Sequence, residues 1–555
     1  MEEKLKLITD YLYENEKQWA DMVYLRQPID GKYHDITWAE AMQQARKMAN
    51  FLKQQGLKKG DHVAILSKNC AEWFIADFAI AMAGLVSVPL FATQHRDIIE
   101  YILGHAEVKL IFVGKLDDWK SQETGIPADI TRVAFPYENS MPATYQWNDI
   151  LRKYNPLTGN YRPDPNDIYT IVYTSGTTGR PKGVMQSFQG IANYIEGTKI
   201  DMEAGTIPAL ENNFVLSYLP LAHIYERLVV ENFGIVFKST ISFVESLQTF
   251  AKNLEETQPT AFCGVPRIWT QFQMGILAKL PQHKLDTLLK IPVINSLIKK
   301  KLRKALGLSR SQLNLSGAAP ISPSLLAWYR KLGIEISEGY GMTENLAFAT
   351  YLDPKDNRPG TVGKARPGVE LKLGENDEIL TRSSIVMVGY YKDPEATKEA
   401  FTEDGFLHTG DKGAIDKDGF VTIIGRVRDT FKTDKGEFIN PVPIENNFAK
   451  NTNIEQLCLI GLQLPQPVMI VSLSDIARAT GVETVTNGLQ KTLDEINKNL
   501  TKFERISHVY VVKGHWTPEN AMLTPTLKVK RNEIMNSYLE QIKEVIKQEK
   551  QIVWE

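Results

Sequence analysis

Three cysteines in 555 residues, Cys70, Cys263 and Cys458, lie too far apart for a disulfide framework or a C-x-x-C metal or redox pair. A reducing, cytoplasmic setting is expected. The longest apolar run, Phe78 to Ala92, is shorter than a bilayer span and is broken by Gly84, Ser87 and Pro89. It reads as a buried helix turning into a strand. Met1 to Trp19 is too charged for a signal peptide and has no apolar core followed by a small-residue cleavage site. Excess charge is missing too: the net charge of −2 gives no overall attraction to nucleic acid, so none is expected as a partner. No internal repeat or low-complexity tract interrupts the chain.

What is present is an ordinary soluble composition, 43% apolar and 23% charged, in a chain long enough for two or more domains. Thr37-x-x-Glu40 forms a capping box that opens an amphipathic helix stopped near Gly56. The strand His62 to Leu66, a helix over Ala71 to Ala83, the strand Leu85 to Leu90, a helix at Asp97 to His105 and the strand Lys109 to Val113 follow. This alternation predicts a layered α/β domain with a largely parallel sheet. The pattern resumes at Phe214 to Leu219 and through Phe250 to Cys263. From about Gly360 to Ile424, short strands and Gly/Asp/Asn turns predict a small β-rich subdomain. The remaining segment of about 130 residues is a typical domain size, which places the domains at 1–427 and 428–555.

The most informative segment is Tyr173-Thr-Ser-Gly-Thr-Thr-Gly-Arg-Pro-Lys-Gly183. Gly176 and Gly179 permit positive φ and let backbone N–H groups turn toward an anion. Thr174, Ser175, Thr177 and Thr178 add hydroxyl donors, and Lys182 adds a mobile point charge suited to a polyphosphate. A P-loop is excluded, because the second glycine slot holds Pro181 and Gly183 follows the lysine.

Two more segments end apolar runs, where parallel sheets present ligand loops: Ser316-Gly-Ala-Ala-Pro320 and Glu338-Gly-Tyr-Gly-Met-Thr-Glu344. Small residues at Gly317, Ala318 and Ala319 admit a flat ring, and Tyr340 offers a stacking face. Thr343 can donate to a phosphate oxygen, and Glu344 is a hard ligand suited to Mg²⁺. Neither a dinucleotide fingerprint at Gly339-x-Gly341 nor a serine-hydrolase elbow at Glu335-x-Ser337-x-Gly339 is complete.

These loops resemble the signature motifs of the adenylate-forming superfamily, which includes acyl-CoA synthetases, luciferases and peptide-synthetase adenylation domains. The resemblance extends in order from about Thr37 to Arg531. It implies that Gly317, Ala318, Ala319, Gly339, Tyr340, Gly341 and Thr343 bind ATP or AMP with the phosphate loop, that Asp411 and Arg426 bind ribose, and that Arg428 is an inter-domain hinge. Thr524-Pro-Thr-Leu-Lys-Val-Lys-Arg531 would supply a catalytic lysine, Lys528, acting with Thr343 and Glu344. The implied fold is a large N-terminal domain of layered α/β subdomains plus a small β-rich subdomain, followed by a small mobile α+β C-terminal domain.

Leu219-Pro-Leu-Ala-His-Ile-Tyr-Glu-Arg227, Val265-Pro-Arg267 and Gly389-Tyr-Tyr391 with Pro394 are similar to segments of the long-chain fatty acid:CoA ligases. That resemblance implies ATP, Mg²⁺ and coenzyme A as reactants and a medium- to long-chain fatty acid as substrate. A fatty acyl-AMP ligase that loads a carrier protein is the alternative, as is a silent acyl or nucleotide sensor. His223 is the candidate for the acyl entrance, with a core histidine as the competing reading, and Lys432 to Gly436 would face the pantetheine channel. Asn345 and Ser316 depart from the usual residues of the pattern, and the chain is short for a long-chain enzyme. Lys299-Lys-Lys-Leu-Arg-Lys304 reads first as a solvated basic helix face, with peripheral contact to a lipid surface as the alternative.

Overall fold

The computed structural model describes residues 5–138, 140–174, 180–210, 212–356, 358–434, 436–518, 520–524 and 528–555. The chain divides into two compact units, one comprising Met1–Leu371 with Thr381–Leu407, the other Lys372–Leu380 with His408–Glu555.

The first unit is built around an eight-stranded sheet. Its strand order is Gly389–Tyr390, Lys182–Ser187, Ile168–Thr174, Val86–Leu90, His62–Leu66, Leu110–Val113, Thr131–Ala134 and Tyr145–Gln146. From Ile168–Thr174 onward the neighbours are parallel. Strand alternation divides the core between the sheet's two faces. Val63, Ile65 and Phe112 pack on one side with the helices Trp38–Gln54 and Ala71–Ala83, while Ala64, Leu66 and Ile111 pack on the other with Arg96–His105.

The expected capping box is present: the Glu40 amide donates to Thr37 Oγ1 at 3.2 Å, and the Thr37 amide donates to Glu40 Oε2 at 2.8 Å. Ala71–Ala83 is buried around nearly its whole circumference and ends at Gly84, whose φ of 77° reverses the chain into Val86–Leu90. The long apolar run is therefore a core βαβ crossover. Among the described residues, no helix is long and apolar enough to cross a membrane.

Two further sheets complete the unit. One has the order Asn213–Ser217, Ser239–Phe243, Val23–Ile29, Lys32–Thr37. The other begins with the parallel strands Ala261–Gly264, Leu313–Ser316 and Ser337–Tyr340, and so brings two of the sequence motifs to neighbouring strand ends.

The second unit contains the hairpin Leu407–Ile415/Val421–Arg426 and a four-stranded sheet of Ile454–Ile460, Val468–Leu473, His508–Val512 and Ile552–Trp554. Alternation again sorts the side chains. Leu459, Met469, Val471, Val509 and Val511 join Val485, Leu489 and Leu493 of the helix Val482–Asn497; Cys458, Ile470 and Val512 join Ile534 and Ile542 of Arg531–Val545. A large α/β unit and a small α+β unit match the fold class expected from the sequence.

Candidate active site

In the first unit, Thr174 and Lys182 face each other across the antiparallel pair Ile168–Thr174/Lys182–Ser187. The loop expected to hold phosphates therefore joins two paired strand ends. Ser175, Gly176, Thr177, Thr178 and Gly179 lie outside the described residues. Gly183 is required by packing, since a Cβ there would lie 2.8 Å from the Ile171 side chain and 3.0 Å from the Tyr173 ring. The Tyr173 hydroxyl lies 2.7 Å from His105 Nδ1.

One tyrosine joins the lysine to the expected metal-binding carboxylate. Tyr390, in a short strand paired with Lys182–Ser187, donates its hydroxyl to Glu344 Oε1 at 2.9 Å. Lys182 Nζ sits 4.9 Å from the centre of the same ring and 3.9 Å from Asp393 Oδ2. Burial, reinforced by the Glu344 charge, pushes the Tyr390 phenol well above its ordinary range, so it stays a proton donor. The backbone beside Glu344 is fixed twice: Gln186 Nε2 donates to the Thr343 carbonyl at 2.6 Å, and the Met387 amide donates to the Glu344 carbonyl at 2.6 Å.

The turn carrying Thr343 and Glu344 is shaped by Asn345, whose Oδ1 accepts from the Met342 amide at 2.8 Å. This gives the departure from the usual residue a local role. Gly341 cannot bear a side chain here, because a Cβ would come within 2.5 Å of the Ala347 backbone.

Gly317, Ala318 and Ala319 follow the strand Leu313–Ser316, and Ala318 takes a left-handed φ of 67°. The residues flanking this turn approach Gly339: a Cβ on Gly317 would lie 3.5 Å from the Gly339 carbonyl oxygen and 3.7 Å from the Tyr225 ring. Ser316 and Glu338 are register partners on the parallel strands. Burial pushes the Glu338 carboxyl up to about 8. Tyr340 closes its strand half-buried.

His223 is half-buried, and its Nδ1 accepts from the Tyr225 amide at 3.2 Å, capping the short helix Ile224–Glu226. The preceding Leu-Pro-Leu segment is clamped by Asn69, whose Nδ2 donates to the Leu219 carbonyl at 2.7 Å and whose Oδ1 accepts from the Leu221 amide at 3.3 Å. Glu226 Oε1 receives Ser217 Oγ and the Tyr218 amide, each at 3.0 Å. Burial raises the Glu226 carboxyl to about 8.

In the second unit, Asp411 and Arg426 are opposite each other in the hairpin, with Arg426 Nε 2.9 Å from Asp411 Oδ1. Glu378 holds the turn before them, accepting from the Gly410 amide at 2.7 Å and lying 2.8 Å from His408 Nδ1. Arg428 is exposed in the short turn Val427–Asp429. Lys432 Nζ lies 5.4 Å from the Phe438 ring centre, and Gly436 adopts a φ of 85°.

Lys528 is exposed; its amide donates to Thr524 Oγ1 at 3.0 Å, and its carbonyl accepts from the Thr524 amide at 2.8 Å. Three residues on, Arg531 makes a bidentate pair with Glu445 at 2.7 and 2.9 Å and donates to the Leu459 carbonyl at 2.6 Å. The last residue of the motif is thus a half-buried anchor for the segment that carries Lys528.

Sequence reasoning missed Asn69, Gln186, Tyr390 and Asp393 as members of these clusters. Tyr390 and Asp393 were within reach, since both belong to the Gly389-Tyr-Tyr391/Pro394 segment. Asn69 and Gln186 left no comparable signal, because each acts through partners more than 100 positions away.

These geometries coincide with a match to the AMP-binding enzyme model over residues 12–391 and to the AMP-binding enzyme C-terminal domain model over residues 428–550. The chain belongs to the AMP-binding enzyme family. Among curated relatives, it is 29% identical to fatty acyl-CoA synthetase A of Dictyostelium discoideum, spanning 92% of this chain and 86% of that protein. It is 30% identical to the peroxisomal long chain acyl-CoA synthetase 7 of Arabidopsis thaliana, spanning 92% and 81%.

Among solved structures, the adenylation domain of a carboxylate reductase from Mycobacterium chelonae superposes with a TM-score of 0.82 at 20% identity, covering 99% of this chain and 92% of that one. The anthranilate CoA ligase AuaEII, solved with anthranoyl-AMP, gives 0.80 at 21% identity, covering 97% and 98%. At these identities the superpositions establish the fold.

Proposed function

We propose that the chain is an AMP-forming fatty acid:CoA ligase acting on medium- to long-chain acids. The observation that carries this reading is the Lys182–Tyr390–Glu344 cluster beside the phosphate-loop hairpin. It occurs in a chain aligned along most of its length with proteins named as a fatty acyl-CoA synthetase and a long chain acyl-CoA synthetase.

In the first half-reaction a carboxylate oxygen attacks the α-phosphorus of ATP. An O–P bond forms, the bond to the β-phosphate oxygen breaks, and pyrophosphate leaves. Lys182 and the hydroxyl loop hold the β- and γ-phosphates, Thr343 donates to a phosphate oxygen, and the small residues Gly317, Ala318 and Ala319 with Tyr340 seat the adenine. Asp411 and Arg426 take the ribose, and Lys528 stabilises charge as the carboxylate attacks.

No group of three or more metal-ligating side chains occurs among the described residues. A single carboxylate, Glu344, fits an ion that arrives with a polyphosphate rather than one held in a protein cage. Mg²⁺ bound there supplies neutralisation of phosphate charge.

In the second half-reaction the thiol of coenzyme A attacks the acyl carbon and loses its proton, a C–S bond forms, and AMP departs with the bonding electrons. We assign residues 428–555 as the mobile part, turning at Arg428, with Lys432 and Gly436 toward the pantetheine and His223 toward the acyl entrance. Each methylene buried in the acyl site contributes about 0.8 kcal/mol, which favours longer chains until the site is filled. A cytoplasmic setting suits three cysteines that are all buried and unpaired, and a peripheral encounter with lipid suits a substrate that partitions into bilayers.

The test is product analysis with a panel of fatty acids, with and without coenzyme A. AMP, pyrophosphate and acyl-CoA are expected. ADP formation overturns adenylation, and acyl-AMP that never passes to coenzyme A transfers the assignment to a carrier-loading ligase.

A further inference from the structure

The helix Pro292–Ala305 has no buried residue along its 14 positions, although it packs on a large apolar core. Ile298 and Leu302, with Leu306 just beyond the helix, turn toward the cluster that contains Leu285, Trp328 and Tyr329. The opposite face carries Val293, 73% exposed, and Leu297, 62% exposed, one helical turn apart, with Ile291 exposed just before them. Lys301 continues that ridge four residues beyond Leu297, and Lys300 and Lys304 flank it, all three exposed.

Charge is equally one-sided. Between residues 281 and 308 there are seven lysines or arginines and one acid, Asp286, in a chain whose net charge is −2. Among the described residues, Lys299, Lys300, Lys301 and Lys304 take part in no salt bridge. Solvated lysines are common; three large aliphatic side chains exposed within seven residues, at one end of a ridge of lysines, are not.

We propose that Pro292–Ala305 is a docking face for an anionic lipid surface. Val293 and Leu297 enter the headgroup–acyl boundary while Lys300, Lys301 and Lys304 lie among the phosphates. The residue types favour lipid over an acidic protein. Lysine is a flexible point charge that suits diffuse headgroup charge, whereas recognition of specific carboxylates favours the rigid fork of arginine. The exposed apolar residues are aliphatic and offer no aromatic anchor of the kind that dominates protein interfaces. The face is independent of the adenylation clusters and extends the function to where the chain operates.

The experiment is sedimentation of the full chain with vesicles of phosphatidylcholine alone and of phosphatidylcholine mixed with phosphatidylglycerol, at low and high salt. Binding to the mixed vesicles, weakened by salt, is expected. Replacing Lys300, Lys301 and Lys304 together by Glu should weaken it at least about a hundredfold, from about fivefold for each lysine lost. Leu297→Ser should weaken it roughly tenfold. Replacing the three lysines by Arg should retain binding, and because all four sites are exposed, the unfolding temperature should be unchanged in each variant. Absence of binding to mixed vesicles, equal binding to neutral ones, or indifference to both the charge reversal and Leu297→Ser overturns the proposal. Loss of binding in the arginine variant overturns it too.

Discussion

Two arginine–aspartate pairs, one in each unit, have nearly the same contact geometry and opposite surroundings. Arg227 reaches Asp77 Oδ2 at 2.6 Å with both side chains only 1% exposed. Arg426 reaches Asp411 Oδ1 at 2.9 Å with its own side chain 45% exposed and the carboxylate 10%. The first pair is a fastener. Arg227 also donates to Thr170 Oγ1 at 2.7 Å, Tyr169 donates to Asp77 at 2.7 Å, and Glu231 approaches Arg227 Nε at 3.3 Å. Burial and the Asp77 charge raise the Glu231 carboxyl well above its ordinary range. Thr170 and Tyr169 belong to the strand that leads into the phosphate loop, and Arg227 belongs to the segment after His223, so a buried charge ties two motif-bearing elements together. The second pair keeps its cation open to solvent.

Breaking the buried pair should have the largest effect. Arg227→Met leaves the Asp77 carboxyl buried without its cation and with Tyr169 as its hydrogen-bond donor, and loss of one partner of such a pair costs about 3–5 kcal/mol. Combining it with Asp77→Asn should recover much of that loss, and chemical unfolding of the two variants measures the difference. Recovery close to zero would mean that packing, rather than charge, holds this region.

Next in size is Lys528→Ala, a change at an exposed residue where stability should hardly move. Loss of one preorganised charge should slow acyl-AMP formation by roughly 10²–10³-fold, while thioester formation from supplied acyl-AMP should be much less affected. Arg428→Pro should show the reverse bias, since fixing φ at the proposed hinge would hamper the rotation proposed for the second step. Separate assays of the half-reactions decide this, and equal losses in both for both variants would mean that a fixed arrangement serves the enzyme.

The contrast between the two arginines also marks how far the sequence could be read. Alternation and capping made the α/β layers legible: the box at Thr37 and Glu40 and the apolar run from Phe78 both appear where expected, because they depend on neighbours a few residues away. The loops ending in Lys182 and Glu344 were legible as motifs, but their connection through Tyr390 was not, since it depends on strand pairing across some 200 residues. Arg227 was visible only as a member of a family segment. Nothing local marks an arginine that will be almost wholly buried, because its partner Asp77 is 150 positions away.

A more gradual effect, spread over several pH units, separates buried acids from the open site. The folded-state Glu226 carboxyl is raised to about 8, above its unfolded value. Its stabilising contribution is therefore complete below the unfolded pKa of about 4.3 and is lost as the pH rises through about 8, with a slope of at most about 1.4 kcal/mol per pH unit between them. In Glu226→Gln that slope should disappear from unfolding curves collected between these limits. An unchanged pH profile would mean that Glu226 is ionised in the folded chain.

The smallest stability effect should come from the open pair, where the two roles of an arginine can be separated most cleanly. An exposed ion pair contributes about 0–1 kcal/mol, because solvent screens the attraction and ordering the side chain opposes it. Arg426→Ala should therefore shift the unfolding midpoint by less than that of any variant of Arg227. If Arg426 holds ribose, the same substitution removes a charge-assisted hydrogen bond made only with nucleotide bound, so the KM for ATP should rise about tenfold. Arg426→Lys keeps the charge but loses the planar fork, and should fall between the two. A large loss of stability with an unchanged KM would make Arg426 a second fastener and remove it from the nucleotide site.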